Sequence, residues 1–291
     1  MKFVSKISNE SLICNELQVK HYKEIIKCTI GDEPDATIFI ETFCSVLSNI
    51  VDKPINYIKS LSILDLLCLL IDIRYNSLGV CKLIVTQEGK KINLELNLEV
   101  VKKDLTTLFD KLTEKTTFND IEVTLSVPSI LRLSGPFNED YIPYITKCTF
   151  SGTKTFDVTT NEQANKVFNL FPPKLSLQII AKFNKIIEQI YSVNLLERYG
   201  IPNQRLVVIP TITFLIWFTK LLFGEDLGSF YDNLFSLSYS GKMNAEYVEN
   251  LPVGEYNYFI GLLKQTLSSK QSSPGELHND VSQMANGLSE E

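Results

Sequence analysis

Ser60-Leu-Ser-Ile-Leu-Asp-Leu-Leu-Cys-Leu-Leu-Ile-Asp-Ile-Arg-Tyr-Asn-Ser-Leu-Gly79 is the stretch whose reading decides the fold. Ser62 is placed to cap a helix, and Asp65 stands three residues on, the spacing of a capping box. Gly79 predicts a left-handed stop, because a residue without Cβ enters positive φ at no steric cost. Between them Ile63, Leu64, Leu66, Leu67, Leu69, Leu70, Ile71, Ile73 and Tyr75 leave few polar interruptions. At about 100° per residue Asp65, Asp72 and Asn76 share one narrow stripe, and the rest of the circumference is apolar. Such a helix has to be enclosed by protein or lipid. The run falls short of the roughly 20 apolar residues a bilayer needs, and Asp72 and Arg74 interrupt it. It reads as a central helix, 62–78, in a soluble core. Asp72 is then expected to pair with a cation from a neighbouring helix, as buried charges must. Arg74 lies near the C-terminus, where a cation suits the helix dipole.

The rest of the chain supplies material to enclose that helix. Its 291 residues suit two domains, and 44% hydrophobic with 21% charged residues is an ordinary globular composition. A formal charge of -6 and singly scattered lysines count against a nucleic-acid surface. The six cysteines, Cys14, Cys28, Cys44, Cys68, Cys81 and Cys148, form no Cys-x-x-Cys pair and read as reduced thiols of a cytosolic protein. Met1–Asn9 lacks an apolar core and a cleavage site, so no secretory signal is expected.

Periodicity predicts an α+β fold, mainly helical. An N-terminal strand or arm leads to two helices, the second over Ala36–Val51 between Pro34 and Asp52-Lys-Pro54. After the central helix a hairpin is expected over 80–98, turning at Gln87-Glu-Gly-Lys90, because Ile92, Leu94, Leu96 and Leu98 alternate with polar residues. Helical spacing returns from Glu99 to Leu112. A strand follows from Ile121 to Val127, then a second hairpin from Tyr144 to Val158, then a short helix from Asn161. The boundary between an α+β domain, 1–172, and a helical domain, 173–267, is placed at Pro172-Pro173. Helices are expected over Leu175–Tyr191, Ile209–Phe223, Leu227–Tyr239 and Pro252–Leu267, with a short one capped by Asn244. Residues 268–291, rich in Ser, Gln, Asn, Gly and acids, read as a disordered tail.

Chemistry has few candidates. His21 and His278 are the only histidines, and there is no phosphate loop, His-Glu-x-x-His or Gly-x-Ser-x-Gly. No catalytic residue, metal ligand or cofactor is assigned. Two alternatives stay open: a small metal-dependent enzyme using Asp65 and Asp72, and a peripheral membrane protein seated through Ile209–Phe223. A bilayer span is disfavoured there by length and by Lys220.

Asp65 to Gly79 resembles a signature of the baseplate hub assembly family of T-even-like, contractile-tailed bacteriophages: Asp, an apolar run, Arg, one or two polar residues, Ser, an apolar residue, Gly. In that family a strand pair follows the signature helix, here 80–98, and then a helical C-terminal part. Gly228-Ser-Phe-Tyr-Asp-Asn-Leu-Phe-Ser-Leu237 resembles a second recurring piece, and Asn244-Ala-Glu-Tyr-Val-Glu-Asn-Leu-Pro-Val-Gly-Glu255 a third. The likeness covers residues 17–110 and 175–268, while Thr113–Pro172 departs from the family's more compact pattern. It implies a non-enzymatic tail protein that assembles or joins the baseplate hub, in the host cytoplasm or in the virion baseplate. Its partners would be other hub or tail proteins, with room for a homo-oligomer. The residues expected to bind them are Ile92, Leu94 and Leu96 on the hairpin and Phe214, Trp217 and Phe218 on the apolar helix.

Overall fold

The computed structural model describes residues 2–5, 9–31, 34–87, 90–110, 112–150, 154–191, 210–224 and 227–271. Among them the fold is α+β and mainly helical, with twelve α-helices and small antiparallel sheets. The chain opens with β1 (Lys2–Val4) and β2 (Ser11–Ile13), a short antiparallel pair that buries Phe3 and Leu12 on one face. Three helices follow: α1 (Val19–Cys28), α2 (Ala36–Val51) and α3 (Ile55–Ser60). Asp35 starts α2 by accepting the Thr37 and Ile38 amides, and Asp52 ends it at φ 54, ψ 49 in the left-handed region.

The central helix α4 spans Ile63–Leu78 and buries every residue from Ile63 to Ile71 and also Ile73. Each fully buried Leu or Ile contributes roughly 1.5–3 kcal/mol relative to exposure. That burial needs neighbours on several sides. They are α5 (Leu98–Asp110) and α9 (Ile212–Phe223), both packed on α4. Between α4 and α5 runs the expected hairpin, β3 (Cys81–Gln87) with β4 (Lys90–Leu96), paired from Cys81↔Leu96 to Gln87↔Lys90. Its turn residues 88–89 lie outside the described residues.

A four-stranded antiparallel sheet follows, in the order β5 (Glu114–Phe118), β6 (Ile121–Leu125), β7 (Ile145–Phe150), β8 (Lys154–Asp157). β5 has no apolar alternation to announce it; Asn119 at φ 51 turns the chain back so that Phe118 faces Ile121. The link from β6 to β7 carries the one-and-a-half-turn helix α6 (Ile130–Ser134) and a 3-10 turn at Ile142–Tyr144. Then come α7 (Asn161–Phe168), closed by a Thr160/Gln163 capping box, and α8 (Pro173–Tyr191).

The structure divides into two compact units elsewhere than at 172. The first holds residues 1–17 and 21–224, the second 18–20 and 225–291. Pro172-Pro173 is no boundary: Pro173 is the first residue of α8, where a missing N–H costs nothing. α8 packs along β5 and β6: Lys182 and Lys185 both reach the Glu114 carboxylate, at 2.8 and 2.5 Å, and Thr116 Oγ1 donates to Gln178 Oε1. It therefore belongs to the first unit, as does α9.

The second unit is built from α10 (Leu227–Tyr239), α11 (Ala245–Asn250) and α12 (Val253–Gln271). Phe230 and Tyr256 meet with ring centroids 5.9 Å apart, and the Tyr256 hydroxyl donates to Phe230 O. The Val19 amide donates to Leu251 O, and Lys20 Nζ to Asn250 Oδ1. Helix α12 continues to Gln271, so residues 268–271, expected in the tail, are helical; 272–291 lie outside the described residues.

Candidate functional site

The stripe of acids on α4 is set by its cap. Ser62 Oγ accepts the Asp65 amide and donates to Asp65 Oδ2, each at 3.0 Å, and Ser5 Oγ donates to the same carboxylate oxygen. Asp65 is 2% exposed and is held as part of the helix start. Asp72 lies seven residues on, about 10 Å along the axis. It pairs with Lys102 of α5 through both carboxylate oxygens, at 2.6 and 2.7 Å. The two acids thus have separate partners and do not converge on one point. Among the described residues no group of three or more His, Cys, Asp or Glu side chains could hold a metal ion.

Around Asp72 and Lys102, α4 and α5 leave an open groove of about 480 Å³, lined also by Tyr75, Asn76, Glu99 and Thr106. Near the C-terminus of α4, Arg74 Nη2 donates to Val80 O at 2.9 Å. Gly79 takes φ 67 with ψ -132, a positive-φ stop that is not the left-handed helical conformation. Its N–H still closes onto Tyr75 O. A Cβ there would meet nothing within 4 Å, so the demand for glycine comes from the backbone angle alone.

Of the residues expected to face partners, the side chains of Ile92 and Leu94 lie outside what the structure describes. Leu96 is buried in its own unit. Phe214 and Phe218 are buried too, stacked on each other at 5.8 Å, because α9 packs against α4, α2 and α6 and turns that face inward. These three are core residues and present no docking surface. Trp217 differs: it is 44% exposed on the outer side of the same helix. The buried face leaves little of α9 for a membrane surface, and no helix among the described residues is long and apolar enough to cross one.

The thiols are poorly placed for nucleophilic work. All six are buried thiols outside any disulfide, and burial pushes Cys28 up to about 12 and Cys44, Cys68 and Cys148 up to about 11. A thiol in that range stays protonated at neutral pH and is inert.

One charged residue escaped the sequence reading. Arg132 on α6 is 3% exposed, and burial lowers its pKa to about 10. Its Nε donates to Asn161 Oδ1 at 2.6 Å, Nη1 to Val158 O at 2.5 Å and Nη2 to Ile142 O at 2.7 Å. Asn161 Nδ2 returns a bond to Arg132 O at 2.7 Å. A lone arginine in a five-residue helix gives no periodic signal, and its acceptors lie up to 29 residues away. The one local signal that could have marked the helix is its N-cap, Ser129, whose side chain accepts the Arg132 amide.

No protein-family model, no curated protein and no solved structure matches this chain.

Proposed function

We propose that this chain is a non-enzymatic bacteriophage tail protein that assembles the baseplate hub, or remains in it, through protein–protein contacts. The observation that carries the reading is the ribbon that leaves the signature helix. β3 and β4 pair with each other and with no other described strand, so among the described residues each has an outer edge of unpaired N–H and C=O groups. Such an edge is a template for strand addition by a partner. Trp217, exposed beside a buried aromatic face, adds an anchor of the type that dominates interface energetics. The resemblance of 65–79, 228–237 and 244–255 to the hub assembly family gives the class of partner: other hub or tail proteins of the same phage, or a second copy of this chain. The work would be done in the host cytoplasm, and in the tail baseplate if the protein stays.

Co-expression of the full chain with hub and tail proteins of one phage, followed by co-purification, tests the proposal. A stoichiometric complex is expected, and Trp217→Ala should weaken it by at least ~1 kcal/mol while leaving the thermal midpoint nearly unchanged. A chain that stays monomeric and retains none of these proteins overturns it.

A further inference from the structure

We infer that the cavity beside Arg132, at the meeting of the α4 and α6 N-termini, is a binding site for a carboxylate. The cavity has a volume of about 320 Å³ and is lined by Arg132 together with Ser60, Ser62, Ser126, Ser129, Thr146 and Thr159. Two N-caps bring its walls together: Ser62 bridges to Ser129, and the Ile63 amide donates to Pro128 O at 3.0 Å.

The argument begins with charge. A buried cation is costly unless an anion compensates it, and buried charges in proteins are paired. Arg132 has no acidic side chain within ion-pair distance among the described residues; all three of its side-chain acceptors are neutral oxygens. Those acceptors use one N–H on each guanidinium nitrogen, which leaves a second N–H on Nη1 and on Nη2. Nη1 is bound to Val158 O, and Val158 itself lines the cavity.

Most of the hydroxyls are already committed as donors, Ser60 to Tyr57 O, Ser62 to Asp65, Thr146 to Thr124 O and Thr159 to Gln163. Ser129 Oγ accepts the Arg132 amide and has no acceptor for its own proton among the described residues. Ser126 Oγ lies 3.4 Å from Thr113 Oγ1, and either hydroxyl can be the donor of that pair. The spare donors are therefore two guanidinium N–H groups and the Ser129 hydroxyl, a set that suits the oxygens of one small anion. A carboxylate carries one negative charge and neutralises the single buried cation. A phosphate dianion would leave a net negative charge in the same cavity, which favours the carboxylate.

Thermal unfolding of the full chain, titrated with propionate against chloride at matched ionic strength, reads the site directly. A saturable rise in midpoint with propionate, absent with chloride, is expected. Equal responses to the two salts overturn the inference, and so does a tighter response to inorganic phosphate than to propionate. N-acetylglutamate amide, run in parallel, distinguishes a free small acid from the acidic side chain of a peptide: the source is the one that saturates at lower concentration.

Arg132→Met should abolish the response. Because that variant loses a buried anchor, Leu131 provides the second test. Leu131 lines the cavity and is 46% exposed, so it can be changed without disturbing the core. Leu131→Glu places a competing carboxylate there and should raise the dissociation constant for propionate about tenfold or more through like-charge repulsion and competition, while Leu131→Gln should bind as the wild type does. A Leu131→Glu variant that titrates like the wild type overturns the site even if Arg132→Met fails to fold.

Discussion

Asp72 and Arg132 both hold a charge within the first unit, and the fold treats them differently. Asp72 keeps 19% of its side chain in solvent and meets Lys102, itself 29% exposed, across two neighbouring helices. Arg132 is buried, and its side-chain acceptors are carbonyl and amide oxygens from the 3-10 turn, the end of β8 and the start of α7. The first arrangement is a part-buried ion pair beside an open groove, where partial exposure screens the attraction and keeps its net contribution small. The second draws three separate segments onto one cation, and removing that cation would strand all three acceptors. Exposure, more than the number of bonds, decides how much each charge matters to the fold.

The largest effect should come from Arg132→Met, which strands Asn161 Oδ1, Val158 O and Ile142 O; a loss of about 3 kcal/mol or more is expected in urea denaturation. A loss below about 1 kcal/mol would break the contrast, since a sealed cation would then matter no more than a surface one. Asp65→Ala should follow at about 2 kcal/mol, because the Ser5 and Ser62 hydroxyls lose this buried acceptor at the start of α4.

Glu114 sharpens the comparison through pH. Hydrogen bonds from Lys182 and Lys185 hold its carboxyl below the usual 4.5. A lowered folded pKa means the contribution is complete above the unfolded value and is lost as pH falls through the folded one. Midpoints recorded from about pH 7 to about pH 3 should therefore fall more steeply for the wild type than for Glu114→Gln, the gap closing at the acid end. The smallest effect belongs to Lys102→Met, expected to cost under about 1 kcal/mol, with the difference shrinking further in ~1 M salt.

Much of this arrangement was readable in advance, and the reason is local. α4 announced itself because its cap, its apolar run and its stop lie within twenty consecutive positions. The β3–β4 and β7–β8 hairpins were readable from alternation and turn residues. β5 was not: Glu-Lys-Thr-Thr-Phe buries only Thr116, and the strand exists because β6 pairs with it and α8 packs over it. α3 and α6 are too short to show a helical period. The inward placement of Phe214 and Phe218 is not legible, because an apolar helix shows in its sequence how much surface it must bury, not which side its neighbours will cover.

The sequence alone determined that residues 62–78 form an enclosed helix, that a hairpin follows it, and that the fold mixes helices with small antiparallel sheets. These follow from periodicity and capping, which act over a few residues. Tertiary structure alone decided that the compact units part at Gly224 and not at Pro172, that Trp217 faces out while Phe214 and Phe218 face in, and that Arg132 is sealed beside a cavity with three distant acceptors. Those outcomes depend on which surfaces meet, and residues far apart in the chain meet only once the chain has folded.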